Sequence, residues 1–345
     1  MLSFGAACSD AATAPVVSAP STLDHGTDTS NTSTPVPSPA PTPTPVPTSP
    51  STASGVLLGA TLWVDPNSNA KKTADAWRAS RPADAAALDK IASQPQARWF
   101  GDWNTNIAAD VDAATGAISA SGAVPVFVAY NIPQRDCGGL SGGNVTSVTQ
   151  YKQWIAGFAS GIGSLRAVVI LEPDALANMD CLSAADQQTR LSLLSYAVAT
   201  FKSLGATAVY LDGGHAGWQS APTMATRLRA AGVADAAGFF LNVSNFVSDA
   251  DNIAYGGSLS ALIGGKHYVI DSSRNGLGPT ADAQWCNPAG RALGRRPTTT
   301  TGIAGLDAFL WIKAPGESDG ACNGGPDSGV WWPDYAVGLA QRAAY

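Results

Sequence analysis

RAVVILEPD (Arg166–Asp174), AADQQTRLSLLSYAVATFKSLG (Ala184–Gly205) and AVYLDGGH (Ala208–His215) are the consecutive segments that decide the fold of this chain. The first and third are short apolar runs that end in polar residues, a pattern typical of buried strands. The middle segment carries apolar residues at helical spacing. A strand, a helix and a second strand in this order predict two parallel strands joined by a crossover helix.

The same alternation extends over most of the chain. The other apolar runs are VLLGATLWVD (56–65), ARWFGDW (97–103), VPVFVAYN (124–131), GFFLNVSN (238–245), HYVIDSS (267–273) and DAFLWIK (307–313). About seven strand–helix repeats predict an α/β fold with a parallel sheet. Over residues 55–345 the natural closure of such a sheet is a single β/α barrel.

Residues 1–54 have a different composition. The stretch TPVPSPAPTPTPVPTSP (34–50) is rich in Pro, Thr and Ser and predicts an extended spacer without a core. The start, MLSFGAACSD, resembles the remnant of a signal peptide and also a lipoprotein cleavage site, although Gly5 replaces the usual Leu. We therefore expect export and leave open a membrane tether through Cys8; a missing accessory domain is the alternative reason for the spacer.

Composition excludes several classes of function. With 20 Lys and Arg against 26 Asp and Glu, and no basic stripe, we expect no nucleic-acid partner. No apolar run is long enough to span a membrane. No glycine-rich phosphate loop follows the first strand and no CxxC pair occurs, so we expect neither a nucleotide cofactor nor a metal.

The surface chemistry suits an uncharged polymer. Charged residues make up only 13% of the chain, as expected of a secreted protein with a neutral polar surface, although a general bias toward small residues explains this equally well. The ten Trp residues are numerous for this length. Indoles match the apolar faces of sugar rings, while core packing is the default role for most of them.

Polar side chains stand where nearly every predicted strand ends. They are Asp65, Asp102, Asn131, Glu172, Asp174, Asp212, His215, Asn242, Asn245, Asp271 and Lys313. The carboxyl ends of parallel strands form the active face of such barrels, so this pattern predicts an enzyme that works with carboxylates. Glycosidic cleavage needs one protonated and one ionised acid, which this set supplies.

Seven segments carry a resemblance to a known family. They are YNIPQRDCGGLSGG (130–143), VVILEPDALANM (168–179), VYLDGGHAGW (209–218), NVSNF (242–246), IDSSRNG (270–276), QWCNP (284–288) and LWIKAPGESDG (310–320). In order from Trp63 to the C-terminus, the chain resembles glycoside hydrolase family 6, the inverting cellobiohydrolases and endoglucanases. The resemblance implies a distorted barrel with its active site at the C-terminal strand ends.

The resemblance also implies catalytic roles. Asp174 matches the general acid, and Asp136 matches the neighbouring carboxylate that raises the pKa of the acid and helps to relay a proton. Asp319 matches the proposed base, which in an inverting enzyme stands about 6.5–9.5 Å from the acid. Asp212 matches an acidic position that organises the site, and Tyr130 matches a tyrosine that distorts the sugar.

The residues taken alone leave other roles open. Asp174 fits an N-cap of a following helix equally well. Asp136 fits an ion pair with Arg135. Lys313 and Glu317 fit a surface ion pair with each other.

Substrate contacts follow from the same resemblance. Trp63, Trp218 and Trp285 match residues that stack on glucosyl rings, and His215, Asn245, Lys313 and Glu317 match residues that bind sugar hydroxyls. The implied partner is a β-1,4-glucan such as cellulose, with no cofactor, and we expect a monomer.

Five cysteines occur in the chain, four of them beyond Cys8. Their positions allow two disulfides in three connectivities. The resemblance implies Cys137–Cys181 and Cys286–Cys322, which would fix loops that carry carboxylates.

Short stretches after Trp285 and after Asp319 resemble the bacterial endoglucanases rather than the tunnel-forming exo-enzymes. We therefore expect an endo-β-1,4-glucanase. The alternatives are a cellobiohydrolase on the same scaffold and a non-catalytic carbohydrate-binding surface protein. Phe246 stands where many family members have Tyr.

Overall fold

The computed structural model describes residues 55–345 as an α/β protein built on one seven-stranded parallel sheet. The strands are β1 Arg98–Gly101, β2 Val126–Tyr130, β3 Ala167–Leu171, β4 Thr207–Asp212, β5 Gly238–Leu241, β6 His267–Asp271 and β7 Leu306–Leu310. They are hydrogen-bonded in chain order and every neighbouring pair is parallel. The predicted parallel α/β architecture is confirmed.

Helices connect most of the strands. They are α1 Asn69–Trp77, α2 Pro82–Ala92, α3 Ile107–Ala120, α4 Val148–Ile162, α5 Ala184–Lys202, α6 Ala221–Ala230, α7 Asp249–Leu262 and α8 Pro333–Gln341. A serine starts each helix from α4 to α7, its hydroxyl accepting a backbone N–H of the first turn. These caps fix where each loop above the sheet ends and its helix begins.

Side chains alternate between the two faces of the sheet, and both faces are buried. In β3, Val168 and Ile170 belong to the cluster inside the curved sheet, whereas Val169 and Leu171 pack in the cluster beneath the helices. Burial on both faces explains why the strands are continuous apolar runs.

The sheet curls toward closure but is irregular where its edges meet. The N–H of Ala97, just before β1, donates to the carbonyl of Trp311, just after β7, at 2.9 Å. The first apolar run, 56–65, contributes only a single bridge, from Leu62 to Val124. It was expected to be a strand, and this part of the expectation is wrong. The barrel is distorted, as the resemblance implied.

A third, smaller hydrophobic cluster joins the first two helices to the last one. It packs α1 and α2 against α8 around Trp311. Within residues 55–345, no helix is both long and apolar enough to cross a membrane. The predicted signal remnant, spacer and Cys8 tether lie outside these residues.

Candidate active site

A cleft of about 510 Å³ lies in the loops that follow the carboxyl ends of the strands. Most of the predicted site residues line it: Tyr130, Asp136, Asp174, His215, Trp218, Asn245, Trp285, Lys313 and Asp319. The structure therefore brings together side chains that lie as far apart in the sequence as Tyr130 and Asp319.

Three predicted residues do not belong to the lining of this cleft. Asp212 is buried beneath it. Trp63 is half-buried against the main core, in a small crevice shared with Arg98 and Leu310. Glu317 is half-buried, and burial raises its pKa while the Lys313 charge opposes the rise. The stacking role of Trp63 and the sugar contact of Glu317 stay predictions.

Asp174 lies in a turn rather than at the start of a helix. The chain turns over residues 173–178, and α5 begins only at Ala184, where Ser183 provides the cap. The alternative N-cap role is therefore wrong. Glu172 and Asp174 both have positive φ, at 52° and 69°, a conformation rare for non-glycine residues and concentrated at functional sites. This turn presents the Asp174 carboxyl group to the cleft.

The environment of Asp174 favours its protonated form. Burial raises its pKa well above the ordinary value, and the negative charges of Asp212, Asp136 and Asp319 raise it further. The sequence pointed to Asp136 as the reason for the proton. Burial contributes most to the raised pKa of Asp174, and Asp212 contributes more than Asp136. Asp212 lies directly beneath the turn that carries Asp174.

Asp212 is held by backbone N–H groups. Its Oδ2 accepts from Leu176 at 2.9 Å and Ala177 at 2.8 Å, and its Oδ1 accepts from Gly214 at 2.8 Å. Burial raises the pKa of Asp212, while these donors oppose the rise by stabilising the carboxylate. No comparable set of donors engages the Asp174 side chain in the described residues, so within this pair the protonated form is favoured more strongly at Asp174.

Asp136 belongs to a hydroxyl chain that sequence reasoning missed. Its Oδ2 accepts both the N–H and the O–H of Ser141, each at 2.9 Å. Ser141 Oγ lies 2.9 Å from the Tyr130 hydroxyl. The chain Tyr130–Ser141–Asp136 thus gives a proton a path along the cleft wall. The only sequence signal for Ser141 was its place in the quoted segment 130–143.

Arg135 does not pair with Asp136. Its guanidinium lies 3.3 Å from Asp102 Oδ1 and donates to the Tyr130 carbonyl at 2.6 Å. The same group stands over the Tyr130 ring, 4.4 Å from the centroid. The alternative role of Asp136 as an ion-pair partner of Arg135 is wrong. The Asp136 carboxylate instead accepts hydrogen bonds from Ser141 and lines the cleft.

The carboxyl group of Asp319 lies between two cations. Its Oδ2 accepts from Arg274 at 2.8 Å and from the N–H of Asn287 at 3.0 Å, and Lys313 Nζ lies 3.6 Å from its Oδ1. Although burial raises the pKa of Asp319, Arg274 and Lys313 outweigh it and hold the pKa below the ordinary value. The pKa values of Asp174 and Asp319 are therefore shifted in opposite directions within one cleft.

Lys313 is buried and donates to the Ser318 carbonyl at 3.1 Å. A surface ion pair with Glu317 is therefore wrong. Arg274, fully buried, was not identified from sequence; it also lies over the ring of Phe246, 4.4 Å from the centroid. A single Arg in the segment 270–276 gave no hint of a partner 45 residues away.

Aromatic side chains border the cleft. Trp285 is 50% exposed at the cleft, and an accessible indole suits stacking on a sugar ring. Trp218 packs against His215, with ring centroids 5.2 Å apart. Trp99, which was not predicted as a site residue, also lines the cleft, its ring 5.2 Å from that of Tyr130. Within residues 55–345, no group of three or more His, Cys, Asp or Glu side chains is arranged to hold a metal ion.

Both predicted disulfides are present. Cys137–Cys181 joins the Asp136 loop to the segment after Asp174, and Cys286–Cys322 joins the residue after Trp285 to the segment after Asp319.

Replacing Cys137 and Cys181 together by Ser should lower the free energy of unfolding by roughly 2–4 kcal/mol, as expected for a loop of this size. The rate per folded molecule should fall as well, because the disulfide no longer holds together the loops that carry Asp136 and Asp174. Chemical denaturation and initial rates at a temperature where the variant is folded measure the two effects. An unchanged rate would contradict the second.

The family model described as glycosyl hydrolases family 6 matches residues 57–343. Endoglucanase A of Cellulomonas fimi is 46% identical over 287 residues, covering 82% of this chain and 62% of that protein. Endoglucanase 1 of Streptomyces halstedii is 43% identical over 287 residues, covering 80% of this chain and 87% of the relative. This chain thus spans about three-fifths of the length of the Cellulomonas relative.

A solved structure shares the fold. The endoglucanase Cel6 from Mycobacterium tuberculosis, in complex with methyl-cellobiosyl-4-deoxy-4-thio-β-D-cellobioside, superposes with a TM-score of 0.80 at 47% identity. The match covers 83% of this chain and 98% of that one.

Proposed function

This chain belongs to glycosyl hydrolases family 6, and from that premise we propose that it is an exported, inverting endo-β-1,4-glucanase acting on cellulose or related β-glucans. One observation carries the proposal: a single cleft holds Asp174, whose pKa is raised by burial and by neighbouring carboxylates, and Asp319, which is paired with Arg274 and Lys313. Such a pair of carboxyl groups with opposite pKa shifts is what acid-assisted glycoside cleavage requires.

In the proposed reaction Asp174 donates its proton to the leaving glycosidic oxygen. The cleavage leaves positive charge on the sugar ring, and the ionised Asp319 and Asp212 stabilise that charge through the low-dielectric wall of the cleft. Water attacks the opposite face of the ring. The groups that shift the two pKa values are in place before substrate binds, so little reorganisation is needed.

The proton released by the attacking water has two acceptors within the cleft. Asp319 is already engaged by Arg274 and Lys313, which lowers its basicity. Asp136 accepts only the two hydrogen bonds from Ser141 among the described residues. We therefore propose that Asp136, through water, takes this proton, and that Asp319 acts chiefly through its charge. This changes the role of base that the sequence resemblance gave to Asp319.

The endo mode is supported by the endoglucanase relatives and by the exposed indole of Trp285 at the cleft. Export is supported by the two disulfides, since such bonds persist in oxidising compartments.

The test of the function is the ratio of viscosity loss to reducing ends released from carboxymethyl cellulose. An endoglucanase should lower viscosity steeply while few ends appear. A slow fall in viscosity for the same number of ends would indicate a cellobiohydrolase, and binding without any new ends would indicate a non-catalytic protein.

The pH profile should be bell-shaped, with its limbs set by the two oppositely shifted acids. The raised pKa of Asp174 keeps the donor protonated, so activity is lost as pH rises through that value. Asp212→Asn removes the neighbouring charge and should move the alkaline limb to lower pH. Profiles of kcat/KM for the variant and the wild type measure the shift, and Asp235→Asn, an exposed carboxylate paired with Lys202, is the control. An unmoved limb would contradict the coupling.

A further inference from the structure

We propose that Arg190, a buried arginine of α5, is a positioning residue that holds the loop of Asp136 against the loop of Asp174. The inference rests on the proposed function, because it concerns the placement of the two carboxyl groups in that reaction. Arg190 is not part of the cleft lining, so it would act through the loops and not on the substrate.

Arg190 reaches both loops with one guanidinium group. Its Nη2 donates to the carbonyls of Pro133 at 2.9 Å and Gln134 at 2.8 Å, just before Asp136. Its Nη1 donates to the carbonyl of Ala175 at 3.3 Å, directly after Asp174. The side chain is part of the core, with only 3% of the residue exposed. A planar fork with several donors suits such a bridge between backbone segments.

The segments that Arg190 holds are strained. Gln134, Asp136 and Cys137 have φ of 56°, 51° and 52°, and Glu172 and Asp174 have φ of 52° and 69°. Non-glycine residues in this region cost roughly 1–3 kcal/mol each and persist only where the surroundings hold them in place. All three carbonyls bound by Arg190 belong to or adjoin these residues, so loss of the guanidinium should let the loops relax.

Glu172 completes the clamp from the other side. Its carboxylate accepts the N–H of Asn131 at 2.8 and 3.0 Å and that of Ile132 at 3.0 Å, and the group is fully buried. Its charge also acts on Arg190. The segment 131–134 is thus bound through its N–H groups by Glu172 and through its carbonyls by Arg190.

Two other basic residues bind backbone carbonyls without joining the two carboxylate loops. Arg227 donates to the carbonyls of Leu176 and Ala177 and therefore touches the Asp174 loop alone. Lys266 donates to the carbonyls of Ala234 and Ala236, just before β5 and far along the chain from both carboxylate loops. Lys266, which is half-buried, is therefore a control for the loss of a cation that binds backbone carbonyls away from the site.

The experiment compares Arg190→Gln, the double variant Arg190→Gln with Glu172→Gln, and Lys266→Gln in the full chain with its disulfides formed. The double variant avoids leaving a buried carboxylate without its cation, should the single variant fail to fold. The rate is measured on cellohexaose, and binding is measured with the sulfur-linked tetrasaccharide methyl-cellobiosyl-4-deoxy-4-thio-β-D-cellobioside. Hydrogen exchange of segments 131–141 and 174–181 reports the loops independently of activity.

We expect kcat to fall by about 10- to 100-fold in the Arg190 variants, because a displacement of about 1 Å has an effect of this size. Binding should change less than about threefold, and both loop segments should exchange faster, while Lys266→Gln lowers only thermal stability. Unchanged loop exchange, or a lower Tm with kcat within about twofold of wild type, would overturn the inference. Should the wild type fail to cleave cellohexaose, the proposed function fails and loop exchange alone decides the role of Arg190.

Discussion

Replacing Asp174 with Asn should lower kcat on cellohexaose by about 10²- to 10⁴-fold, the usual contribution of general acid catalysis. The variant keeps the size of the side chain but has no proton of suitable acidity to donate. Affinity for the sulfur-linked tetrasaccharide, measured by calorimetry, should stay within a few-fold of wild type, since Asp174 acts on the transition state rather than on ground-state binding.

The nature of the leaving group separates an acid from a residue that merely shapes the cleft. A 2,4-dinitrophenyl β-cellobioside needs no proton on its leaving oxygen, so Asp174→Asn should cleave it at a rate much closer to that of wild type. Asp112→Asn, an exposed carboxylate on α3, is the control and should be unchanged on both substrates. Equal losses on both substrates would contradict the acid role.

Asp319→Asn should affect stability as well as activity. Arg274 is fully buried, and removing its carboxylate partner leaves an uncompensated charge in the core. Breaking a buried ion pair in this way costs about 3–5 kcal/mol of unfolding free energy. The loss of a preorganised charge should also lower kcat by roughly 10²- to 10³-fold.

Denaturant unfolding and initial rates on the folded variant measure both effects. The control is Asp235→Asn, which breaks an ion pair with Lys202 whose side chains are 58% and 57% exposed, and it should change stability by less than about 1 kcal/mol. Adding Arg274→Met to Asp319→Asn should restore part of the stability and none of the activity. Recovery of activity in that double variant would show that Asp319 only neutralises Arg274.

The fold was largely predictable because burial on both faces makes parallel strands stand out as continuous apolar runs. The run 56–65 has the same composition but forms only the bridge of Leu62 to Val124. It lies beside the irregular closure between Ala97 and Trp311. Composition does not reveal which apolar run stays outside the sheet, because that depends on how the two edges of the curved sheet approach each other.

The site was predictable where a functional group stands at a strand end. Asp174 lies just beyond β3, so topology places it at the edge where the strands end, whereas Asp136 lies farther along the loop after β2 and was predicted only from the resemblance. The supporting residues were missed because their partners are distant in sequence. Arg274 and Arg190 are single cations within ordinary segments, and only the packed structure shows the carboxylate or the carbonyls that they bind.

The order of influences on Asp174 also required the structure. The family resemblance favoured Asp136 as the source of the raised pKa. In the folded chain, burial comes first and Asp212 second, because Asp212 lies beneath the turn and accepts the N–H groups of Leu176 and Ala177. Burial of a turn residue is a property of the surrounding loops and leaves no local signature.

The most direct test of the central claim is the anomeric form of the first product, followed by proton NMR during the first minutes of cellohexaose hydrolysis by the wild type. Water attack on the face opposite the bond protonated by Asp174 predicts that the α-anomer appears first and then mutarotates to the equilibrium mixture. A β-anomer as the initial product would mean that configuration is retained, and the roles assigned here to Asp174, Asp136 and Asp319 would be wrong.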